Sequence, residues 1–122
     1  MRIAFSAESK NGLESPISHH FGRCPAYIVL DLEGDKVKSV ESIDNPFFQD
    51  HLPGMVPRFI HEQGIHMMIS GGMGRRAIEF FEEFGIGVAT GAQGDVQFAL
   101  KAYLEGTLNE AAPCRQSLEH DH

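Results

Sequence analysis

Cysteine is scarce in this chain of 122 residues, and long apolar runs are missing from it. The two cysteines, Cys24 and Cys114, are too few for a disulfide scaffold or for the four thiolates of a conventional protein-ligated iron–sulfur cluster. A single bridge between them stays open but is disfavoured in a reducing compartment. No stretch approaches the about 18 consecutive apolar residues of a membrane span, and the opening MRIAFSAESK reaches Glu8 and Lys10 too soon for a signal peptide. The expectation is a soluble, cytoplasmic protein with no membrane partner. Basic residues are also outnumbered, ten Lys and Arg against seventeen Asp and Glu, and the net charge of −7 repels a nucleic-acid backbone. A local basic pocket remains compatible with that balance.

The length fits one domain, and 42% hydrophobic residues suffice to build its core without disulfides. The compositional oddity is histidine, at positions 19, 20, 51, 61, 66, 120 and 122, which makes metal the first question. Residues 2–6 read as a short apolar strand, and Ala26–Leu32 with Lys36–Ile43 as a β-hairpin around Glu33-Gly34-Asp35. Val56, Phe59 and Ile60 have helical spacing up to Gly64; Ile65–Ser70 is a buried strand. A second helix carries Ala77, Ile78, Phe80, Phe81 and Phe84 on one face up to Gly85, and residues 86–90 form the next strand. A third helix follows Asp95, with Val96, Ala99, Leu100, Tyr103 and Leu104 facing inward, and ends at Gly106. Residues 1–106 are thus one domain, and 107–122 a polar tail without periodicity.

The order β-β-β-α-β-α-β-α predicts an α/β fold, a mixed five-stranded sheet with helices on its faces. Right-handed crossovers then bring the Ala7–Cys24 loop, the Asn45–Pro53 loop and the glycine turns 71–74 and 91–94 to one sheet edge, where open α/β sheets bind ligands. Two constellations lie there. His19, His20, Cys24 and His51 carry imidazole and thiolate donors suited to zinc, iron or an iron–sulfur species; adjacent histidines in an extended loop diverge, and His20 is the preferred ligand. The alternative is surface histidines with Cys24 as a small buried hydrophobe. Ser70-Gly71-Gly72-Met73-Gly74-Arg75-Arg76 is a strand-to-helix turn whose free N–H groups and two arginines favour an anion, or else a turn that needs glycine for its backbone. It is neither a Walker A sequence nor a dinucleotide fingerprint.

Catalysis finds less support. Two-metal nuclease chemistry needs acidic residues on the first strand, which has none, and Ser6, Ser70 and Thr90 lack a nucleophile elbow. His61 and His66 read as structural and the Phe59, Phe80, Phe81 and Phe84 set as core; Cys114, His120 and His122 could close over a metal if the tail doubled back, the alternative being histidines incidental to a terminus.

Ser18-x-His20-Phe21-Gly22-Arg23-Cys24-Pro25, the Asn45-Pro46 loop with His51 and Gly54, Ser70-Gly71-Gly72-Met73-Gly74 with Arg76-Ala77, and Thr90-Gly91 together resemble the dinitrogenase iron-molybdenum cofactor biosynthesis family. That family includes NifX-like and NafY-like carriers and the C-terminal domain of NifB-type proteins. The resemblance implies a ribonuclease-H-like three-layer fold without nuclease activity. It implies a non-enzymatic carrier that transiently holds an iron–sulfur or iron–molybdenum type cluster between donor and acceptor proteins. It carries His20 over as ligand and, less directly, Cys24 and His51, with Arg23, Arg75, Arg76 and the Gly72–Gly74 amides facing the anionic cluster. His19 stands where many relatives have an acidic residue. The other readings are a small α/β module for a phosphate-containing ligand and a plain zinc-binding structural domain.

Overall fold

Odd and even positions of the first apolar run serve opposite faces of one sheet: Ile3 and Phe5 join one core, Ala4 the other. The structure, a computed structural model, describes residues 1–48 and 54–111. Strand β1 (Arg2–Ala7) is followed by a 3-10 turn at Gly12–Glu14 and by the hairpin of β2 (Ala26–Glu33) and β3 (Lys36–Asp44). Then come α1 (Met55–Glu62), β4 (Met67–Ile69), α2 (Arg75–Phe84), β5 (Gly87–Thr90), α3 (Val96–Leu104) and β6 (Asn109–Ala111). The sheet order is β3-β2-β1-β4-β5-β6. Strands β1, β4 and β5 run parallel, while β2, β3 and β6 pair antiparallel with their neighbours.

The fold is therefore α/β, and among the described residues it has three helices and a mixed sheet of six strands rather than the expected five. The additional strand, β6, lies in the segment read as an unstructured tail. It pairs Asn109 with Thr90 and Ala111 with Val88. Three residues are too few to show a period of two, so only their pairing with β5 defines the strand.

Helix α3 covers one face of the sheet, where Val96, Ala99 and Leu100 meet Phe5, Ile28, Leu30 and Ile69. Helices α1 and α2 cover the other, where Val56, Ile60 and Phe81 meet Ala4, Tyr27, Val29, Met68 and Val88. Asp95 caps α3 by accepting the Phe98 N–H at 2.8 Å. Leu104, expected on the inner face, is instead 44% exposed, because the helix ends there and its last turn runs past the sheet. No helix among the described residues is long and apolar enough to cross a membrane.

The edge of the sheet away from the glycine turns is closed by Arg2. Its guanidinium bonds Asp31 at 2.8 Å and the Gln63 carbonyl at 2.8 Å, and its N–H donates to His66 Nδ1 at 2.9 Å. His61 stacks on Phe84 with centroids 4.5 Å apart. Both histidines thus have packing or hydrogen-bonding partners far from the glycine turns.

Phe81 is the fully buried side chain of α2 and fills the space between the helix pair and the sheet. Phe81→Ala is expected to cost about 3–5 kcal/mol in urea unfolding. A loss below about 1 kcal/mol would show that α2 is not anchored by this ring.

Candidate functional site

The segment between β1 and β2 is not a free loop. Its Ser18 N–H donates to the Ser6 carbonyl at 2.9 Å, and its Ser18 carbonyl accepts from the Gly71 N–H at 3.0 Å. Gly71 in turn gives its carbonyl to the Gly91 N–H at 3.0 Å, so three loops are laced across the carboxyl ends of β1, β4 and β5. Ser18 Oγ accepts the His20 N–H at 3.2 Å and reverses the chain there. Ser70 Oγ donates to the Gly72 carbonyl at 2.9 Å and shapes the opposing turn. A Cβ on Gly71 would lie 2.9 Å from both His19 Cα and the Ser18 carbonyl oxygen, so a side chain there would push the histidine segment off the turn.

Beneath this crossing opens a cavity of about 700 Å³. His19, His20, Gly22 and Arg23 form one wall, Gly72, Met73 and Gly74 with Arg76 and Ala77 of α2 another, and Gly54, Val56 and Pro57 of α1 a third. Phe21 and Phe80 complete it. A second cavity, of about 580 Å³, shares Gly54 and Phe80, so the Phe80 ring partitions the two. Phe80, expected in the core, therefore belongs to the cavity.

The electrostatics of the first cavity are one-signed. Helices α1 and α2 both begin at its wall, after Gly54 and Gly74, and neither has a side-chain cap. The N–H groups of the first turn have no acceptor within an α-helix, so of the lining residues Val56, Arg76 and Ala77 leave donors at the cavity. Each helix end adds roughly half a positive charge. Arg23 and Arg76 add whole charges, and among the described residues no Asp or Glu lines the cavity. By contrast, the α3 N-terminus is occupied by its own Asp95.

The expected site residues divide accordingly. His20, Arg23, Gly72, Met73, Gly74 and Arg76 line the cavity together with His19, which was expected to diverge from His20. Gly71 lies behind it as the crossing point, and Arg75 is exposed beside it without lining it. His51 falls outside the described residues, as do Cys114, His120 and His122. Among the described residues no three His, Cys, Asp or Glu side chains gather as a metal-binding group. The α1 contribution was invisible in the sequence, where Val56 read only as part of a helical apolar face; the one signal was Gly54, a glycine directly before the helix.

Cys24 is 1% exposed and does not line the cavity. Its thiol donates to the Phe21 carbonyl at 3.2 Å. Burial pushes the thiol up from its ordinary 9.0, against smaller opposing contacts with Tyr27, Ala7 and Ser6. Tyr27 is likewise pushed up, first by burial and then by neighbouring Cys24.

Two outcomes are expected. Gly71→Ala should destabilise the fold by about 1–3 kcal/mol, read from urea unfolding, because backbone rather than a flexible side chain meets the new methyl. An unchanged midpoint would show that the crossing tolerates it. Because both folded-state pKa values are raised, the protonated forms stabilise the fold below the unfolded pKa values and that stability is lost as pH rises through the folded ones. Stability should therefore fall as pH climbs above 9.0, and less steeply in Cys24→Ser. Identical alkaline slopes in both proteins would contradict the buried, protonated thiol.

Three comparisons extend this geometry. The chain is 40% identical to PH0822, whose crystal structure superposes with a TM-score of 0.79 over 91% of this chain and 96% of that one. It is 30% identical to TM1290 of Thermotoga, a protein with a proposed NifB identity, with a TM-score of 0.75 over 89% and 91% of the two chains. The apo orange protein of Desulfovibrio gigas is 26% identical, with a TM-score of 0.79 over 92% and 93%. The sequence model described as dinitrogenase iron-molybdenum cofactor matches residues 1–106, which include every cavity residue, and the chain belongs to that family.

Proposed function

We propose that this protein is a non-enzymatic carrier that holds an anionic iron–sulfur or iron–molybdenum type cluster in the cavity during metallocofactor assembly. The observation that carries the reading is the convergence of two uncapped helix N-termini, Arg23 and Arg76 on one cavity, with no carboxylate among the described residues that line it. Such a site attracts an anion and repels a bare cation. A cluster that brings its own sulfide ligands fits it, with His20, or His19 beside it, giving one or two imidazole bonds. The plain zinc reading is less favoured, because zinc needs three or four ligands, no such group gathers among the described residues, and the arginines oppose its charge.

A phosphate-containing ligand would meet the same donors. The cavity, however, is walled by Phe21, Val56, Pro57, Met73, Ala77 and Phe80, and an apolar wall costs a strongly hydrated oxyanion more than a weakly hydrated sulfide surface. Family membership supports a role in iron-molybdenum cofactor biosynthesis; on the proposed reading this chain works between a donor and an acceptor protein in the cytoplasm. The sheet order β3-β2-β1-β4-β5, with β2 antiparallel, supports the ribonuclease-H-like description of the fold.

The test is an anaerobic titration with a thiolate-capped iron–sulfur cubane, a sulfide-rich dianion, followed by absorbance and protein-bound iron. Wild type should bind stoichiometrically and less tightly as salt rises. Arg76→Gln should weaken binding roughly ten-fold through the loss of one charge-assisted contact. His20→Ala should weaken it and alter the absorbance of the bound cluster. No binding by wild type, or binding indifferent to both substitutions, would overturn the reading.

A further inference from the structure

The wall that carries His20 and Arg23 is a stretch without regular structure, and its shape is imposed from below by three buried side chains. Tyr27 Oη donates to the Phe21 carbonyl at 2.7 Å, and Cys24 Sγ donates to the same oxygen at 3.2 Å. Asn45 Nδ2 donates to the Gly22 carbonyl at 3.1 Å and to the Cys24 carbonyl at 2.8 Å. The Asn45 N–H donates to the Pro25 carbonyl at 3.0 Å. Of the five main-chain carbonyls from Phe21 to Pro25, four are thus held by these three residues, and the fifth belongs to Arg23.

The three donors are themselves fixed. Tyr27 and Cys24 are 0% and 1% exposed, and Asn45 is 5% exposed at the open end of the β2–β3 hairpin. Asn45 Oδ1 accepts the Phe47 N–H at 2.9 Å, so both ends of the amide are engaged and its orientation is set. The Phe21 ring packs edge-on against Phe81 at 5.1 Å, tying the same wall to the core of the helix pair. A wall held this way presents His20 and Arg23 without an ordering cost when cargo arrives.

We propose that Cys24, Tyr27 and Asn45 are positioning residues that pre-form the cavity wall, with Cys24 acting as a thiol donor to the Phe21 carbonyl rather than as a ligand to the cargo. This rests on the carrier reading for what the wall binds, but the clamp itself is a property of the empty protein.

The experiment uses the full chain and the same iron–sulfur cubane, with Tyr27→Phe, Asn45→Ala, Cys24→Ala and Cys24→Ser, each checked for its unfolding midpoint. Amide hydrogen exchange at residues 20–24 is measured before the cluster is added. Asn45→Ala is expected to speed exchange there and weaken cluster binding roughly ten-fold, as the loss of bonds to two carbonyls implies. Tyr27→Phe, which removes only a hydroxyl, should act in the same direction, and guards against Asn45→Ala failing to fold. Cys24→Ala should weaken binding without changing the absorbance of the bound cluster, and Cys24→Ser, whose hydroxyl donates to the same carbonyl, should rescue it. A changed cluster spectrum in Cys24→Ser would make Cys24 a ligand and overturn its assignment. Unchanged exchange in both Asn45→Ala and Tyr27→Phe would overturn the clamp. A wild type that binds no cluster would instead sink the carrier reading, with the exchange data still deciding the clamp.

Discussion

Gly71 carries no side chain because the Ser18–His19 backbone crosses it at a distance that leaves room for none. The cavity depends on this contact. The Gly71 N–H holds the Ser18 carbonyl, and its own carbonyl holds Gly91, so one residue sets the height of the histidine segment above β4 and fixes it relative to β5. Were the segment lifted by the width of a methyl group, His19 and His20 would withdraw from the α2 N-terminus. The wall opposite Arg76 would then be lost. The strands supply a flat edge on which loops can end; the crossing decides that they end against each other.

The charge distribution follows from what is withheld from that edge. A protein of net charge −7 has carboxylates to spare, yet among the described residues none lines the cavity, and α1 and α2 begin there without a capping side chain. Glycine at the N-cap in place of a capping side chain forgoes about a few tenths of a kcal/mol each time. The third helix does not forgo it, since Asp95 caps it away from the cavity. Stability is thus relinquished at the two helix ends that face the cavity, the pattern expected when an external anion completes the helix ends.

Sheet and helices were legible because burial on two faces leaves continuous apolar runs and because Gly85 and Asp95 mark helix ends by backbone and capping chemistry. The glycine turn and His20 were legible as candidates at the sheet edge, each with a plainer role beside it, a turn built for its backbone and a surface histidine. The third wall was not. Val56 and Pro57 look the same in sequence whether their helix starts in solvent or over a cavity, and Phe80 has the spacing of core residues because it lies on the face that α2 turns toward α1. Strand β6 was hidden for the opposite reason, having too little local signal and existing only through β5. Cys24 was legible as a special residue with two roles open, metal ligand or small buried hydrophobe: its type is shared by both, and only tertiary packing separates them.

Rigidity and reversibility have to coexist in a carrier, and this architecture separates them. The wall is held from below by buried donors, which makes the cavity pre-formed. The groups facing the cargo are of another kind: two exposed imidazoles, two exposed arginines and backbone N–H groups. Contacts of that kind are individually modest and screened by solvent, whereas several thiolates would bind a cluster in a way only a thiolate-rich acceptor could reverse. With its described cysteine turned into the floor and protonated, the protein presents no thiolate from that residue. An acceptor that offers even one cysteine ligand therefore gains a bond type that the Cys24 position does not provide, and on the proposed reading that difference drives the transfer outward.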